Sequence, residues 1–426
     1  MTPLRRSAAT VLAASAVLCA SAATAAVAAP SPSPAPVIPS GLHGEKDPTY
    51  DGVWRQSLAL LAQDTVGVKP AGKAVSWLVG QQCDSGGFAS FRADATEPCT
   101  AKTVVDSNAT AAAVQALSAL GGQDAAVKKG VGWLKSAQNK DGGWGYNPGS
   151  PSDANSTSVV IGALAAAGEK PGEVKSRKGE SPYDALVTFS VPCDAKTGGG
   201  AFAYQPDKDG GLAPNADATA AGVLAGLGKG LDAEAGKDSR GGTKDAQSGA
   251  CTKGEPTPAR AAANGAAYLD GVLAETGHLD TPPMPGAEDT EAQPDFGNTA
   301  DAVVALAAQG GAARAQKPLK WLEKNAAGWA EEHGPAAYAQ LVFAANATGT
   351  DPRNFGGTDL VKGLNATGPA PEAAGKSAEA PAGKSADEKK DSDGGFGTWW
   401  IVAVFFVASV GAGILFSGRK KKNQQL

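Results

Sequence analysis

Few of the residues that usually ligate zinc are present in this chain. Its 426 residues include three histidines, His43, His278 and His333, which are scattered along the sequence. The five cysteines form no Cys-x-x-Cys pair, a spacing from which many structural zinc sites are built. The sequence therefore predicts no metal site and no cofactor.

Positive charge is also in short supply. Lysine and arginine total 38 residues against 43 aspartates and glutamates, which gives a formal net charge of −5. No basic cluster occurs outside the two ends of the chain, whereas binding to nucleic acid requires a basic patch. We therefore expect no nucleic-acid partner.

The two ends of the chain predict export and membrane anchoring. Residues 1–29 have the basic start, the short apolar stretch and the small-residue end of a secretory signal. Near the other end, an apolar run from Trp399 to Phe416 is followed by a basic cluster. The run approaches the length of a bilayer-spanning helix, and the basic cluster marks the cytoplasmic side. We therefore expect a single-pass protein of the cell membrane with its main domain outside the cell.

Composition divides the chain into six segments. Residues between the main domain and the apolar run contain almost no large apolar side chain, so they cannot bury enough surface to fold. The expected segments are a signal peptide (1–29), a Pro-rich linker (30–50), a repeat domain (51–365), a disordered stalk (366–396), a transmembrane helix (397–418) and a basic cytoplasmic tail (419–426).

The cysteines agree with export. Four of them, Cys83, Cys99, Cys193 and Cys251, lie outside the signal and allow three pairings. Because each neighbouring pair flanks a glycine-rich stretch, we expect the disulfides Cys83–Cys99 and Cys193–Cys251, which are typical of an oxidising compartment.

One pattern recurs through the main domain: a small polar residue, an aliphatic residue six positions later and a glycine thirteen positions later. Asn and Asp are good helix N-caps, and a terminal glycine tolerates the left-handed conformation that ends many helices. Each copy therefore predicts a short capped helix with an Ala-rich interior. Four clear copies and two degenerate ones begin at Asn108, Asn155, Asp217, Asn298, Trp54 and Ala336.

A second unit follows several of these copies. Two of its examples have identical offsets from Trp to Gln to Gly-Gly to a closing aromatic residue: Trp77, Gln82 and Gly86-Gly87-Phe88, and Trp133, Gln138 and Gly142-Gly143-Trp144. We interpret each copy with its second unit as a helical hairpin that ends in a glycine-rich exit. Six such hairpins predict an all-α fold.

The stretch Gln138-Asn139-Lys140-Asp141-Gly142-Gly143-Trp144 resembles the glutamine-tryptophan repeat of prenyltransferases and squalene-type terpene cyclases. The resemblance covers roughly residues 51–365. It implies an α/α toroid of about six helical hairpins, arranged as two concentric helix rings around a central cavity. In the family the capped helices form the inner ring, and Gln138 and Trp144 would have the structural role of tying outer helices together.

Squalene-type cyclases protonate their substrate with an Asp-x-Asp-Asp motif. The matching stretch here, residues 215–218, keeps an acid at Asp217 and replaces the flanking carboxylates by Asn215 and Ala218, which removes groups that organise the donor's acidity. Aromatic residues, which stabilise carbocations, make up 6% of the chain. An exported, divergent terpene cyclase or isoprenoid-processing enzyme with Asp217 as its acid is therefore the alternative to a protein in which Asp217 is only a helix cap.

The first helices of the hairpins would place their N-termini around one mouth of the ring. Helix N-termini carry partial positive charge and free N–H donors, so the mouth would suit a polar or anionic group above an aliphatic cavity. In the alternative, the caps only satisfy the helix ends and the ring is closely packed. The expected ligand-binding residues are Asn108, Asn155, Asp217 and Asn298 at the rim, with Thr110, Thr157 and Thr219 just inside it.

These features favour a surface-tethered, non-enzymatic protein that binds a small hydrophobic or amphipathic ligand. By analogy of fold alone with vitamin-carrier toroids, it could serve as a capture module for a membrane transporter. A structural surface protein is the second alternative, after the enzyme. Two long insertions, 229–256 and 276–296, either cover the cavity or decorate the repeats.

Overall fold

The computed structural model describes residues 37–236, 250–281 and 292–373. All of them belong to one compact unit. The expected signal peptide, transmembrane helix and cytoplasmic tail lie outside the described residues. Within them, no helix combines the length and the apolar character that a membrane crossing demands.

The prediction of a mainly helical fold is confirmed. The described helices are α1 (Gly52–Thr65), α2 (Gly72–Gly80), α3 (Ser107–Leu120), α4 (Asp124–Ala137), α5 (Ala154–Ala166), α6 (Pro182–Thr188), α7 (Ala216–Gly226), α8 (Pro258–Leu273), α9 (Phe296–Gly310), α10 (Gln316–Asn325), α11 (Ala327–His333), α12 (Pro335–Thr348) and α13 (Leu360–Ala366). The described strands form two short antiparallel pairs, β1 (Phe88–Ala89) with β2 (Val105–Asp106), and β3 (Leu279–Thr281) with β4 (Gln293–Asp295).

Six helices pack against one another in a closed order, which we call the helix cycle: α1, α3, α5, α7, α9 and α12. Each contacts the next, and α12 contacts α1. Each is followed by a helix that packs against it: α2, α4, α6, α8, α10 and α13, respectively, with α11 also on α12. The described part of the chain therefore contains six successive helix pairs.

The helices of the cycle are buried on more of their surface than their partners. Ten of the 14 residues of α3 are buried, against four of the 14 residues of α4. Small side chains fill α3, as in Ala111, Ala112 and Ala113, and they let neighbouring helices approach closely from several sides. A helix that is apolar nearly all round is stable only where other elements surround it, which places the cycle helices in the interior.

The predicted N-caps at Asn108, Asn155, Asp217 and Asn298 are wrong. Four residues in extended conformation cap these helices through their side-chain oxygens: Asp106, Asp153, Asn215 and Asp295. The caps lie two residues before the first three predicted positions and three before Asn298. In α3 and α9 the preceding strand continues up to the capping residue, so the helix starts immediately after it. The predicted caps therefore lie two residues too late in the first three copies and three residues too late in the fourth.

The glycine predicted to end the third capped helix is also misplaced. Helix α7 ends at Gly226, and the left-handed residue that follows it is Gly228, with φ 66°, rather than Gly230. By contrast, Gly121 ends α3 with φ 67°, as predicted.

A threonine four residues after each of these caps forms a recurring link, which we call the threonine bridge. Each threonine hydroxyl oxygen accepts the backbone N–H of the residue that closes the preceding exit, at 2.9–3.1 Å. All four threonines are fully buried. The bridges therefore fasten four helices of the cycle, α3, α5, α7 and α9, each to the exit of the hairpin before it. The pairs are Thr110 with Phe88, Thr157 with Trp144, Thr219 with Phe202, and Thr299 with Leu279.

The glutamine-tryptophan stretch has a structural role. The side-chain amide of Gln138 donates to the carbonyl of Gly142 at 2.8 Å. The indole N–H of fully buried Trp144 donates to the carbonyl of Leu134, also at 2.8 Å. Gly142 has φ 93°, and a Cβ there would lie 2.2 Å from the carbonyl oxygen of Ser181. These contacts hold the glycine-rich exit that follows α4 against α4 itself on one side and against the start of α6 on the other.

Both expected disulfides, Cys83–Cys99 and Cys193–Cys251, are confirmed. The boundaries of the folded domain are wider than expected. His43, assigned to the linker, is fully buried, and its ring lies against Gly368. Glu372, assigned to the stalk, forms an ion pair with Lys69 at 2.6 Å. Residues on both sides of the repeats therefore pack on the domain.

Candidate functional site

A cavity of about 270 Å³, which we call the cycle cavity, lies between five helices of the helix cycle. Positions two, six and nine after the caps supply much of the lining, and these positions share one face of a helix. The cavity is lined by Trp54 from α1, Asn108 and Gln115 from α3, Asn155, Ser158, Val159 and Gly162 from α5, Asp217, Ala221 and Leu224 from α7, Lys229, Gly230 and Leu231 after α7, and Asp301 from α9.

Three of the seven expected ligand-binding residues, Asn108, Asn155 and Asp217, come together in the cycle cavity. Asn298 is not part of the lining, and its side-chain amide donates to Asp295 at 2.7 Å. Its different register explains this, because it lies one residue further from its cap than the other three.

The three expected threonines are also absent from the lining. Thr110, Thr157 and Thr219 are fully buried and belong to the threonine bridges. Their position four residues after the cap turns the side chain towards the preceding exit. At the starts of α3, α5 and α7, one polar residue therefore faces the cavity, and the threonine two residues later binds the preceding exit.

Asp301 and Ser158 are lining residues that the sequence reasoning missed. Asp301 lies between Ala300 and Ala302 in a helix whose neighbouring positions are buried and apolar. A lone carboxylate in such a helix is rarely buried without a reason, and that signal could have identified it. Ser158 gave no comparable signal, because serine is common in Ala-rich helices.

The two cavity carboxylates are held in different ways. The side-chain amide of Asn155 donates to Asp217 Oδ2 at 2.5 Å, and the side-chain amide of Gln340 donates to Asp301 Oδ2 at 3.0 Å. Neither carboxylate forms an ion pair with a described lysine, arginine or histidine. Both therefore lack a directly paired positive charge among the described residues.

Burial raises the pKa of both carboxyl groups. The pKa of Asp301 rises to about 7, mainly because burial disfavours its charged form and further because of the negative charge of Asp217. The pKa of Asp217 rises mainly through burial, with the charges of Asp295 and Asp153 adding to the effect and the Asn155 hydrogen bond opposing it. Perturbed carboxyl groups that share a cavity are characteristic of functional sites.

Three further oxygens of the lining have no hydrogen-bond partner among the described residues. They are Asn108 Oδ1, Asn155 Oδ1 and Ser158 Oγ, and the Ser158 residue is only 5% exposed. An unsatisfied buried polar atom costs about 1–3 kcal/mol. The cavity therefore presents carboxylates and unpaired acceptors together.

The start of the 229–256 insertion closes part of the cavity. The backbone N–H of Leu231 donates to Gln115 Oε1 of α3 at 2.9 Å, and Gly230 lies against Gly162 of α5. Further along, the backbone N–H of Gly236 donates to the carbonyl of Ala307 in α9 at 2.9 Å. This segment therefore contacts three helices of the cycle and forms one wall of the cavity.

Tyrosines lie at the helix starts on the side of the caps. The carbonyl of Tyr146 accepts the N–H of the first residue of α3, and that of Tyr204 accepts the N–H of the first residue of α5. Their side chains are 44% and 45% exposed. Burial raises the pKa of Tyr204, and the charges of Asp153 and Asp217 add to the effect.

The electrostatics differ from the expected affinity for an anion. Three of the four caps are aspartates, and each accepts a backbone N–H at the start of its helix, so a carboxylate already lies at these three helix starts, where an anionic ligand was expected. Asp217 and Asp301 add negative charge beyond them. No group of three or more His, Cys, Asp or Glu side chains among the described residues is arranged to hold a metal ion.

No family model and no curated protein matches the chain. Solved structures that match it include a crystal structure of a protein from Actinoplanes, with 15% sequence identity and a TM-score of 0.44. That match covers 74% of this chain and 96% of the other. A similarity of this size supports no argument about fold or function.

Proposed function

We propose that this chain is a membrane-tethered, non-enzymatic protein that binds a small molecule in the cycle cavity. The observation that carries the proposal is the set of unpaired polar atoms on Asn108, Asn155 and Ser158, which line one cavity beside Asp217 and Asp301. Polar groups that converge in an otherwise apolar cavity are the usual form of a ligand site.

The architecture that we propose for the domain is an α/α toroid with two concentric helix rings. The closed packing order of the helix cycle and the partner helix beside each member support it. The resemblance of residues 138–144 to the prenyltransferase and terpene-cyclase repeat points in the same direction. The cycle cavity would then be the central cavity of the toroid.

The proposed location is the outer face of a cell membrane. The signal-like residues 1–29 and the apolar run 397–418 with its basic tail support it, as do the two disulfides. A tethered binding domain can deliver its ligand to a transporter in the same membrane, and this is the partner that we propose.

An exported isoprenoid-processing enzyme with Asp217 as its acid is the second candidate. The raised pKa of Asp217 inside the cavity favours it, since a general acid must be protonated near the working pH. Two observations favour binding instead. Trp54 is the single aromatic side chain among the described lining residues, and about 270 Å³ is below the usual range of about 300–1,000 Å³ for drug-sized ligands.

Mass spectrometry of small molecules released from the denatured full-length protein tests the proposal. We expect a released small molecule whose amount falls sharply in an Asn108→Leu/Ser158→Val variant. The variant Asp209→Asn, whose carboxylate is 80% exposed, is the control and should retain it. Conversion of a polyprenyl substrate by the wild-type protein, lost in Asp217→Asn, would overturn the proposal in favour of the enzyme. A wild-type protein that releases nothing and converts nothing would favour a structural surface protein.

A further inference from the structure

We propose that the ligand of the cycle cavity is a small organic cation with N–H donors, such as a primary ammonium or guanidinium compound, bound between Asp217 and Asp301. This inference rests on the proposed binding function and specifies the chemical class of its ligand.

The charge of the cavity favours a cation. Asp217 and Asp301 both line the cavity and have no described cationic partner. Among the described lining residues Lys229 is the one basic side chain, and its ammonium group donates to the backbone carbonyl of Glu234 at 2.9 Å. Asp153 and Asp295 add negative charge that is felt at Asp217. An anionic ligand would therefore be repelled, whereas a cation would supply the missing counter-charge.

Hydrogen bonding supports the same ligand class independently of charge. Ser158 is only 5% exposed in the lining, and its Oγ has no partner in the part of the chain that the structure describes. Asn155 directs its amide N–H to Asp217, and the side-chain oxygens of Asn155 and Asn108 likewise have no partner among those residues. Asparagine oxygens only accept hydrogen bonds. A ligand with several N–H donors satisfies these atoms, whereas an apolar ligand would leave them unsatisfied.

The size and the lining of the cavity suit a small organic cation. About 270 Å³ corresponds to roughly nine water volumes of about 30 Å³ each, so the ligand is small. Trp54 adds an aromatic ring to the lining, and aromatic faces attract ammonium and guanidinium groups. The absence of a three-ligand group among the described His, Cys, Asp and Glu residues favours an organic cation over a divalent metal ion.

Calorimetric titration of the full-length protein in detergent at pH 8 tests the assignment. The probes are n-butylammonium, 1,4-diaminobutane and agmatine, with butan-1-ol and butyrate as neutral and anionic counterparts of similar size. We expect at least one of the three cations to bind, and the neutral and anionic probes to bind at least tenfold more weakly.

Variants that preserve the hydrogen bonds isolate the role of charge. Asp217→Asn and Asp301→Asn can still accept from Asn155 and Gln340, and each should weaken binding of the cation at least tenfold. Ser158→Ala removes one acceptor and should weaken it several-fold. Asp209→Asn, on an exposed loop, should bind as the wild type does. Thermal unfolding of each variant shows that it is folded.

The outcomes separate this inference from the function on which it rests. Binding of butan-1-ol or butyrate in preference to the cations, or failure of all three cations to bind, would overturn the cation assignment. If the wild-type protein still released a neutral or anionic molecule by mass spectrometry, the binding function would stand and only its ligand class would change. If it released nothing and converted a polyprenyl substrate, both proposals would fail.

Discussion

Replacing Asp301 by asparagine should make the protein more stable, and increasingly so as the pH rises. Asparagine is nearly the same size as aspartate and can still accept the hydrogen bond from Gln340, which is 3.0 Å long in the structure. What it removes is the cost of holding a carboxylate inside the cavity near Asp217 and Asp295.

The magnitude follows from the difference in pKa. Asp301 has a pKa of about 7 in the folded protein, against 3.8 for the unperturbed side chain. Between these values the folded protein holds a proton that the unfolded chain has released, so the contribution of this group to stability falls as the pH rises from about 4 to about 7. From pH 5 to the folded-state pKa of about 7, the pH rises by about two units. At about 1.36 kcal/mol for each unit, the stabilisation by Asp301→Asn should be about 2–3 kcal/mol larger at pH 8 than at pH 5.

Urea unfolding of the wild type and the variant at pH 5 and pH 8 measures this difference. Some slope will remain in the variant, because burial also raises the pKa of Asp217 and raises that of Asp106 to about 6. Asp209→Asn is the control and should show no pH-dependent gain, since its carboxylate is 80% exposed. A gain that is equal at both pH values, or a loss of stability at pH 8, would refute the reasoning. A confirmed gain would mean that the wild type keeps a costly carboxylate, as expected of a functional residue.

Three further predictions concern the bridges, the disulfides and the cavity. Thr110→Val leaves the buried N–H of Phe88 without an acceptor and should lower the unfolding free energy by about 1–3 kcal/mol. Thr110→Ser keeps the hydroxyl group and should retain most of the wild-type unfolding free energy. Equal losses in the two variants would argue against the bridge. Replacing both cysteines of Cys193–Cys251 by serine opens a loop of 58 residues and should lower the unfolding free energy, measured by urea denaturation, by about 4 kcal/mol. The same replacement at Cys83–Cys99, which closes 16 residues, should lower it by about 3 kcal/mol. The reverse order would contradict a loop-entropy origin of the stabilisation. Binding of a cation in the cycle cavity should release protons at pH 6.5 and none at pH 9. Calorimetry in buffers of different ionisation enthalpy measures this release. Proton uptake at pH 6.5 would exclude binding by a carboxylate.

Much of the fold could be predicted from the sequence because its signals are local and repeated. The Ala-rich copies with a closing glycine, such as Gly121, predicted helices that the structure confirms. Each disulfide was predictable because its two cysteines flank one glycine-rich exit. The position of the caps was harder, since Asp106 and Asn108 are both good capping residues and lie two positions apart. The choice depends on where the preceding strand ends, and this is set by pairing with residues 88–89.

The candidate site was less predictable because it is assembled from distant parts of the chain. Asn108, Asn155 and Asp217 were found through the repeat, and they share the cavity because they occupy the same helix position in three copies. Asp301 does not belong to that pattern, and its pKa depends on Asp217 in the neighbouring helix. The threonines were expected at the site for the same reason, and instead they bind the exits. The spacing of polar residues therefore located the helix ends, but it did not distinguish the face that meets the cavity.

The central proposal is that a small cation lies between Asp217 and Asp301 inside a closed cycle of helices. A crystal structure of the protein soaked with 1,4-diaminobutane measures both parts at once. We expect a ligand nitrogen at about 2.7–2.9 Å from an oxygen of at least one of these carboxylates, with α12 packed on α1. A diamine bound only outside the cycle, or a gap between α12 and α1, would contradict it.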